Sequence, residues 1–124
     1  MNRKELEERL IEFAVVIVRI AETNVSLKSS SHLSSQLMRS GTSPALNYGE
    51  AQSAESSKDF IHKIQIVLKE LRETNICLRI ILKANYFEDK LEIVKAINES
   101  NELISIFVKT VSTAKKNQKS PTLN

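Results

Sequence analysis

Apolar residues recur in this chain at alternating steps of three and four, and four separate stretches carry that rhythm. The first runs from about Arg3 to Val25. Leu6, Leu10, Phe13, Ile17 and Ile20 share one stripe, and Ala14, Val18, Ala21 and Val25 lie beside it. Val15 and Val16 fill the remaining directions, so the middle of this helix has no polar face. A helix on the outside of a lone bundle would keep one. The pattern therefore predicts that helix one is central or that another subunit covers it.

A polar connection, Ser26 to His32, is rich in residues that cap helices. The second helix is predicted from about Ser31 to Gln52, with a bend at Gly41 and Pro44. One of its stripes is polar: Gln36, Arg39, Ser43, Asn47 and Glu50. The neighbouring face holds Leu33, Leu37, Ser40, Gly41, Pro44, Tyr48 and Ala51, small enough in places for another helix to come close. The polar stripe either binds a ligand or forms a network that fixes how helix two meets its neighbours. Buried polar networks usually serve packing specificity, which favours the second.

Ser56 or Ser57 is placed to cap a third helix that ends near Ala84. Ile64, Leu68, Leu71, Asn75, Leu78 and Leu82 follow heptad spacing with one polar interruption, a position that can fix register. After the connection Asn85-Tyr-Phe-Glu88, a fourth helix reaches about Lys116. Phe87, Val94, Ile97, Asn101, Ile104, Val108 and Val111 are expected to point inward. Residues 117–124 contain Pro121 and no apolar pattern, so a disordered tail is expected after a domain spanning 1–116. Four long helices with short connections predict an all-α, antiparallel up-down-up-down four-helix bundle.

Composition agrees with this. Only two glycines and two prolines occur in 124 residues, too few for the turns of a β-rich domain. A single cysteine, Cys77, excludes an internal disulfide and fits a reducing compartment. The first residues run directly into charged helical sequence, and no apolar run is long enough to span a bilayer, so a cytoplasmic location without membrane contact is expected.

Enzymatic chemistry finds no foothold. A di-iron bundle takes carboxylates from four helices and two Glu-x-x-His pairs. Here Asp59-Phe-Ile-His62 is the only acidic-x-x-His arrangement, and His32 sits in or beside a loop. Cys77 has no histidine within a helical turn and is placed off the core stripe, as a surface or interface thiol. There is no Gly-rich phosphate loop and no Arg-x4-6-His ribonuclease motif. No catalytic residue, metal, cofactor or small-molecule substrate is expected.

The charge pattern changes the picture more. Net charge is only +3, but Lys58, Lys69, Arg72, Arg79 and Lys83 project within about 80° of one another on helix three. Asp59, Glu70 and Glu73 lie on its other side. At ~1.5 Å per residue this basic flank is ~37 Å long, enough to follow several phosphates. Beyond Leu103 there are four lysines, with Lys115, Lys116 and Lys119 close together, and no acidic residue. The simpler explanations are a solvated flank or one paired with Glu5, Glu8 and Glu12 of helix one. If the flank binds nucleic acid, it does so through the backbone and without sequence preference.

The segment Leu-Ser-Ser-Gln-Leu-Met-Arg-Ser-Gly-Thr-Ser-Pro-Ala-Leu-Asn-Tyr-Gly-Glu-Ala resembles the signature of the bacterial four-helix-bundle protein family. That family includes the intervening-sequence proteins, some of them encoded within inserts in large-subunit ribosomal RNA genes. Gln36, Leu37, Arg39, Ser43, Asn47 and Glu50 match its pattern, and the stretch from Lys58 to Thr74 is also similar. Many members have Glu-Gly where this chain has Gly49, Glu50 and Ala51, which places it in a variant branch. The resemblance implies an antiparallel four-helix bundle assembled as a homopentameric ring. A similar fold serves as the accessory protein of diversity-generating retroelements, which binds a reverse transcriptase and nucleic acid through basic surfaces. Two functions follow as expectations: a nucleic-acid or ribonucleoprotein accessory module, or a protein-binding scaffold whose basic flank forms intersubunit salt bridges.

Overall fold

A computed structural model describes residues 1–23, 28–85 and 90–118. Among these residues there are four helices and no strand: α1 (Arg3–Glu22), α2 (Lys28–Ala51), α3 (Ser57–Ala84) and α4 (Lys90–Gln118). Local capping accounts for the ends of α1 and α3. The Asn2 side chain accepts the Glu5 N–H at 2.8 Å and starts α1. Ser56 does the same for the Asp59 N–H at 3.0 Å, so Ser56 is the cap of α3. Asn85 ends α3 in the left-handed region at φ 60°, a conformation asparagine tolerates better than most residues. Pro44 lies inside α2, which continues through it to Ala51. Helix α4 runs two residues past the expected domain end at residue 116. Val25, Phe87 and Lys119 lie outside the described residues.

The helices pack in sequence order, α1 on α2, α2 on α3 and α3 on α4, while α4 meets α1 along a looser seam. This is the up-down-up-down bundle. The predicted stripe of α1 is wholly buried. So is that of α3, except Leu82, which is half-buried. Asn75 is the polar interruption among the leucines, and it works across the α3–α4 contact. Its Nδ2 donates to Ser100 Oγ at 2.8 Å and to Asn101 Oδ1 at 3.0 Å. A buried amide left unpaired costs ~1–3 kcal/mol, so slippage of α4 along α3 is disfavoured.

Helix α4 buries a different stripe from the one its periodicity suggested. Ile93, Ala96, Ser100, Leu103 and Phe107 face the core, whereas Val94, Asn101 and Val108 are exposed and Ile97, Ile104 and Val111 are half-buried. The cause is a run of adjacent apolar pairs, Ile93-Val94, Ala96-Ile97, Leu103-Ile104 and Phe107-Val108. Each pair offers two stripes one residue apart. Two tertiary contacts choose between them: Ser100 meets Asn75, and Phe107 packs edge-on against Tyr48, with ring centroids 5.6 Å apart.

Helix α1 is not central. Its stripe is buried against α2 and the core, but Ile11 and Val15 stand 42% and 40% exposed on the outer α1/α2 side, close to Leu46 at 68%. Together with Ala14, Val18 and Ala45 they line a shallow apolar groove of about 470 Å³. The α1–α4 seam is tied by Arg9, which makes a two-pronged pair with Glu99, both contacts 2.7 Å, and reaches Glu102 at 3.2 Å.

Candidate nucleic-acid interface

The basic flank is defined by how α3 sits between its neighbours. Several side chains of α3 reach towards α2, three of them as follows. Thr74 meets Ser40 at 3.0 Å, Glu70 meets Arg39 at 3.3 Å, and Lys63 meets Glu50 at 3.7 Å. Asn75 marks the side towards α4. A helix turns ~100° per residue, so the remaining, outward side next to α4 is where Lys58, Lys69, Arg72, Arg79 and Lys83 emerge. All five are exposed, and none enters an ion pair among the described residues.

The acids are drawn away from this face. Glu70 and Glu73 turn to Arg39 of α2. On α4, Glu99 and Glu102 turn to Arg9 of α1, and Glu92 lines the α1–α4 seam. Helix α1 packs on α2 and α4 rather than on this side of α3. Within one subunit, then, Glu5, Glu8 and Glu12 do not neutralise the flank. What is left is one outer α3/α4 face with cations and no acidic side chain among the described residues.

Helix α4 contributes to the same face. Lys115 and Lys116 are exposed in its last turn, and the antiparallel pairing brings that turn beside the start of α3. Lys119 lies outside the described residues. Lys90 is also exposed at the other end of α4, on the side turned to α3. It was missed because its face depends on the rotation of α4, which the doubled apolar pattern leaves ambiguous. The two isoleucines between the cations, Ile76 at 51% and Ile80 at 47% exposed, were not singled out either.

The polar stripe of α2 separates into two behaviours. Arg39 bonds Glu70 and Glu73 and Glu50 approaches Lys63, so both act between helices. Asn47 instead donates to Ser43, to its Oγ at 2.8 Å and its carbonyl at 3.0 Å, within α2 itself. Gln36 is exposed and, among the described residues, receives a long 3.4 Å contact from Arg39. Glu70 is largely buried, so its bond to Arg39 compensates a carboxylate taken out of water. Arg39 and Glu50 thus pair between helices, whereas Gln36, Ser43 and Asn47 bond within α2, and Arg39 also borders a shallow groove of about 410 Å³ with Ser34, Met38 and Thr42.

Cys77, expected as a surface or interface thiol, is not on the surface but in the α2–α3 contact. It is 6% exposed, and its Sγ lies 3.5 Å from the Leu33 carbonyl of α2. Burial first, and then the charge of Glu73, push the thiol up to about 11, which keeps it protonated and unreactive at neutral pH. Helix α3 is covered on both flanks, so it buries more than its leucine stripe. No group of three or more His, Cys, Asp or Glu side chains among the described residues is placed to hold a metal ion. No described helix is long and apolar enough to cross a membrane.

Residues 4–109 match the family model of the 23S rRNA-intervening sequence protein. Among solved structures, the chain is similar to a protein of unknown function from the S23 ribosomal protein family of Bacteroides thetaiotaomicron. The identity is 31%, the TM-score 0.81, and the match covers 90% of this chain and 99% of that one. Among curated proteins nothing matches.

Proposed function

The chain belongs to the family of 23S rRNA-intervening sequence proteins, and from that premise we propose that it is a non-enzymatic, oligomeric accessory module that binds RNA, or a ribonucleoprotein, through basic surfaces. The observation that carries this is the outer α3/α4 face, where Lys58, Lys69, Arg72, Arg79 and Lys83 emerge while Glu70 and Glu73 of α3 and Glu99 and Glu102 of α4 are turned to other helices. Unpaired surface cations gathered on one side repel one another unless an anion joins them. A phosphate backbone supplies anions at a spacing that a ~37 Å flank can follow.

Binding through about five phosphate contacts falls roughly a hundred- to five-hundred-fold between 50 and 200 mM salt. Fluorescence anisotropy with a labelled RNA oligonucleotide reads this directly. Reversing Lys69, Arg72, Arg79 and Lys83 to Glu together is expected to abolish retention while helicity and assembly mass stay as they are. If the reversed protein assembles and still binds, the lysines at the end of α4 carry the contact and the flank does not.

Oligomerisation is supported by the apolar outer face of α1 and α2, where Ile11, Val15 and Leu46 are exposed around a groove. Ring assembly, with the five subunits that the family resemblance implies, repeats the basic flank and multiplies a weak contact by avidity. Light scattering at micromolar concentration is expected to give a mass near five chains. A Val15→Lys, Leu46→Lys variant is expected to shift it towards one. A wild-type mass of one chain overturns the assembly.

One observation favours a second role, as a protein scaffold. Glu8 and Glu12 are exposed on α1 without reaching the flank of their own subunit, and they suit the flank of another copy. In that case the four-fold reversal dissociates the assembly instead of only silencing RNA binding.

A further inference from the structure

The basic face is not uniformly polar. Ile76 and Ile80, each about half exposed, stand one helical turn apart in its middle. The nearest positions on the helix surface to Ile76, besides Ile80, are Arg72, Arg79 and Glu73, the last of which is paired with Arg39 of α2, and Lys83 follows Ile80 by three residues. Across the contact with α4, the Asn75–Ser100 bond sets the antiparallel register. It puts exposed Val94 beside the Ile80 end of this stretch and exposed Val108 beside the Lys69 end. The face is thus an aliphatic ridge bordered by cations on its α4 side and by the Arg39–Glu73 pair on its α2 side.

We infer that the ligand of the α3/α4 face is single-stranded nucleic acid, with phosphates on the cations and the faces of unpaired bases laid over the Ile76–Ile80 ridge. The inference rests on the nucleic-acid role proposed above and narrows it. A duplex keeps its base faces stacked inside and presents phosphates, sugars and groove edges to a flat protein surface. Seated on this face, it would press polar backbone against two isoleucines and give them no apolar partner. A single strand exposes both parts: a charged backbone and base faces that tolerate any sequence. Aromatic platforms do this most strongly, but the ring residues of the described core, Phe13, Tyr48 and Phe107, are buried. Among the described residues of this face, the two isoleucines and the exposed His62 are what the bases can meet. The ridge spans one helical turn between the two isoleucines, ~6 Å along the axis, which suits one or two bases in each subunit.

The test compares a fluorescein-labelled 20-nucleotide poly-uridine strand with a labelled 20-base-pair RNA duplex, by anisotropy at a fixed 100 mM salt, on the full chain. The single strand is expected to bind at least tenfold more tightly. Ile76→Ser, Ile80→Ser is expected to lower single-strand affinity about tenfold and leave duplex affinity within twofold. Circular dichroism melting and light scattering confirm that fold and assembly mass are unchanged. Equal or tighter duplex binding by the wild-type protein overturns the inference and leaves the nucleic-acid role standing. Failure to bind either probe removes that role itself. Unchanged single-strand affinity in the double variant, or loss of assembly mass, also overturns it, the latter by showing the ridge to be a contact between copies. The comparison of the two probes on the wild-type protein decides the question even if the variant is poorly behaved.

Discussion

Phe107→Ala is expected to lower the unfolding free energy by about 3–5 kcal/mol, the usual range for emptying a buried phenylalanine site, while Val108→Ala is expected to change it by ~0.5 kcal/mol or less. The two residues are neighbours on α4 and both apolar, and they differ in where the bundle turns them. Phe107 is fully buried and meets Tyr48 edge-on at 5.6 Å, so its loss removes a ring–ring contact as well as apolar area. Val108 is 43% exposed, and alanine's better helix propensity offsets what little packing it gives up. Urea denaturation at one matched protomer concentration measures both, because an oligomer's apparent stability depends on concentration. Equal costs for the two variants would mean that α4 is rotated from the position described here, and the stripe of Val94, Ile97, Ile104 and Val108 would be the buried one.

That pair of variants also shows where the sequence could be read and where it could not. In α1 the middle is apolar all round, but Leu6, Leu10, Phe13, Ile17 and Ile20 carry the largest side chains along one stripe from end to end, and all five are buried. In α3 the leucine stripe and Asn75 are equally unambiguous. Helix α4 offers two stripes with nearly the same content, and no local rule separates them. The choice is made by partners remote in sequence, Asn75 and Tyr48. Cys77 was misplaced for a related reason. A stripe predicts the side of a helix that meets the core, but α3 is flanked by α2 and α4 and loses more of its circumference to neighbours than one stripe describes.

The candidate site was legible in part. Segregation of Lys58, Lys69, Arg72, Arg79 and Lys83 from Asp59, Glu70 and Glu73 is a property of α3 alone, so helical projection was enough to find it. Projection does not show which neighbour each side meets. The destination of the acids, to Arg39 on α2 and Arg9 on α1, appears only in the packed bundle. It is this destination that leaves the outer face without local neutralisation. The exposed isoleucines were hidden by the same limitation, since an apolar residue on a helix is ordinarily assigned to the core.

Gly41→Ala is expected to cost about 1–3 kcal/mol, although alanine is the better helix former by ~1 kcal/mol. Helix α2 comes so close to α1 at this point that a Cβ on Gly41 would lie 2.4 Å from Ile17 Cγ2 and 2.9 Å from its Cβ and Cγ1. Ile17 cannot turn aside easily. It is β-branched and stiff about χ1 in a helix, and it is fully buried. The helices must separate, or Ile17 must leave its rotamer, and either loses packing along the seam. Gly49 provides the control within the same helix, since nothing lies within 4 Å of a Cβ placed there. Gly49→Ala is therefore expected to be neutral or to gain up to about 1 kcal/mol. Ile17→Ala alone opens a cavity and costs ~2–5 kcal/mol. Combined with Gly41→Ala it should cost less than the two single losses added together, because the new methyl occupies space the isoleucine has vacated. A coupling of about 1 kcal/mol or more in that double-mutant cycle would be the signature of direct contact. If Gly41→Ala stabilised the protein as Gly49→Ala does, or if the cycle were additive, α1 and α2 would not approach as closely as described.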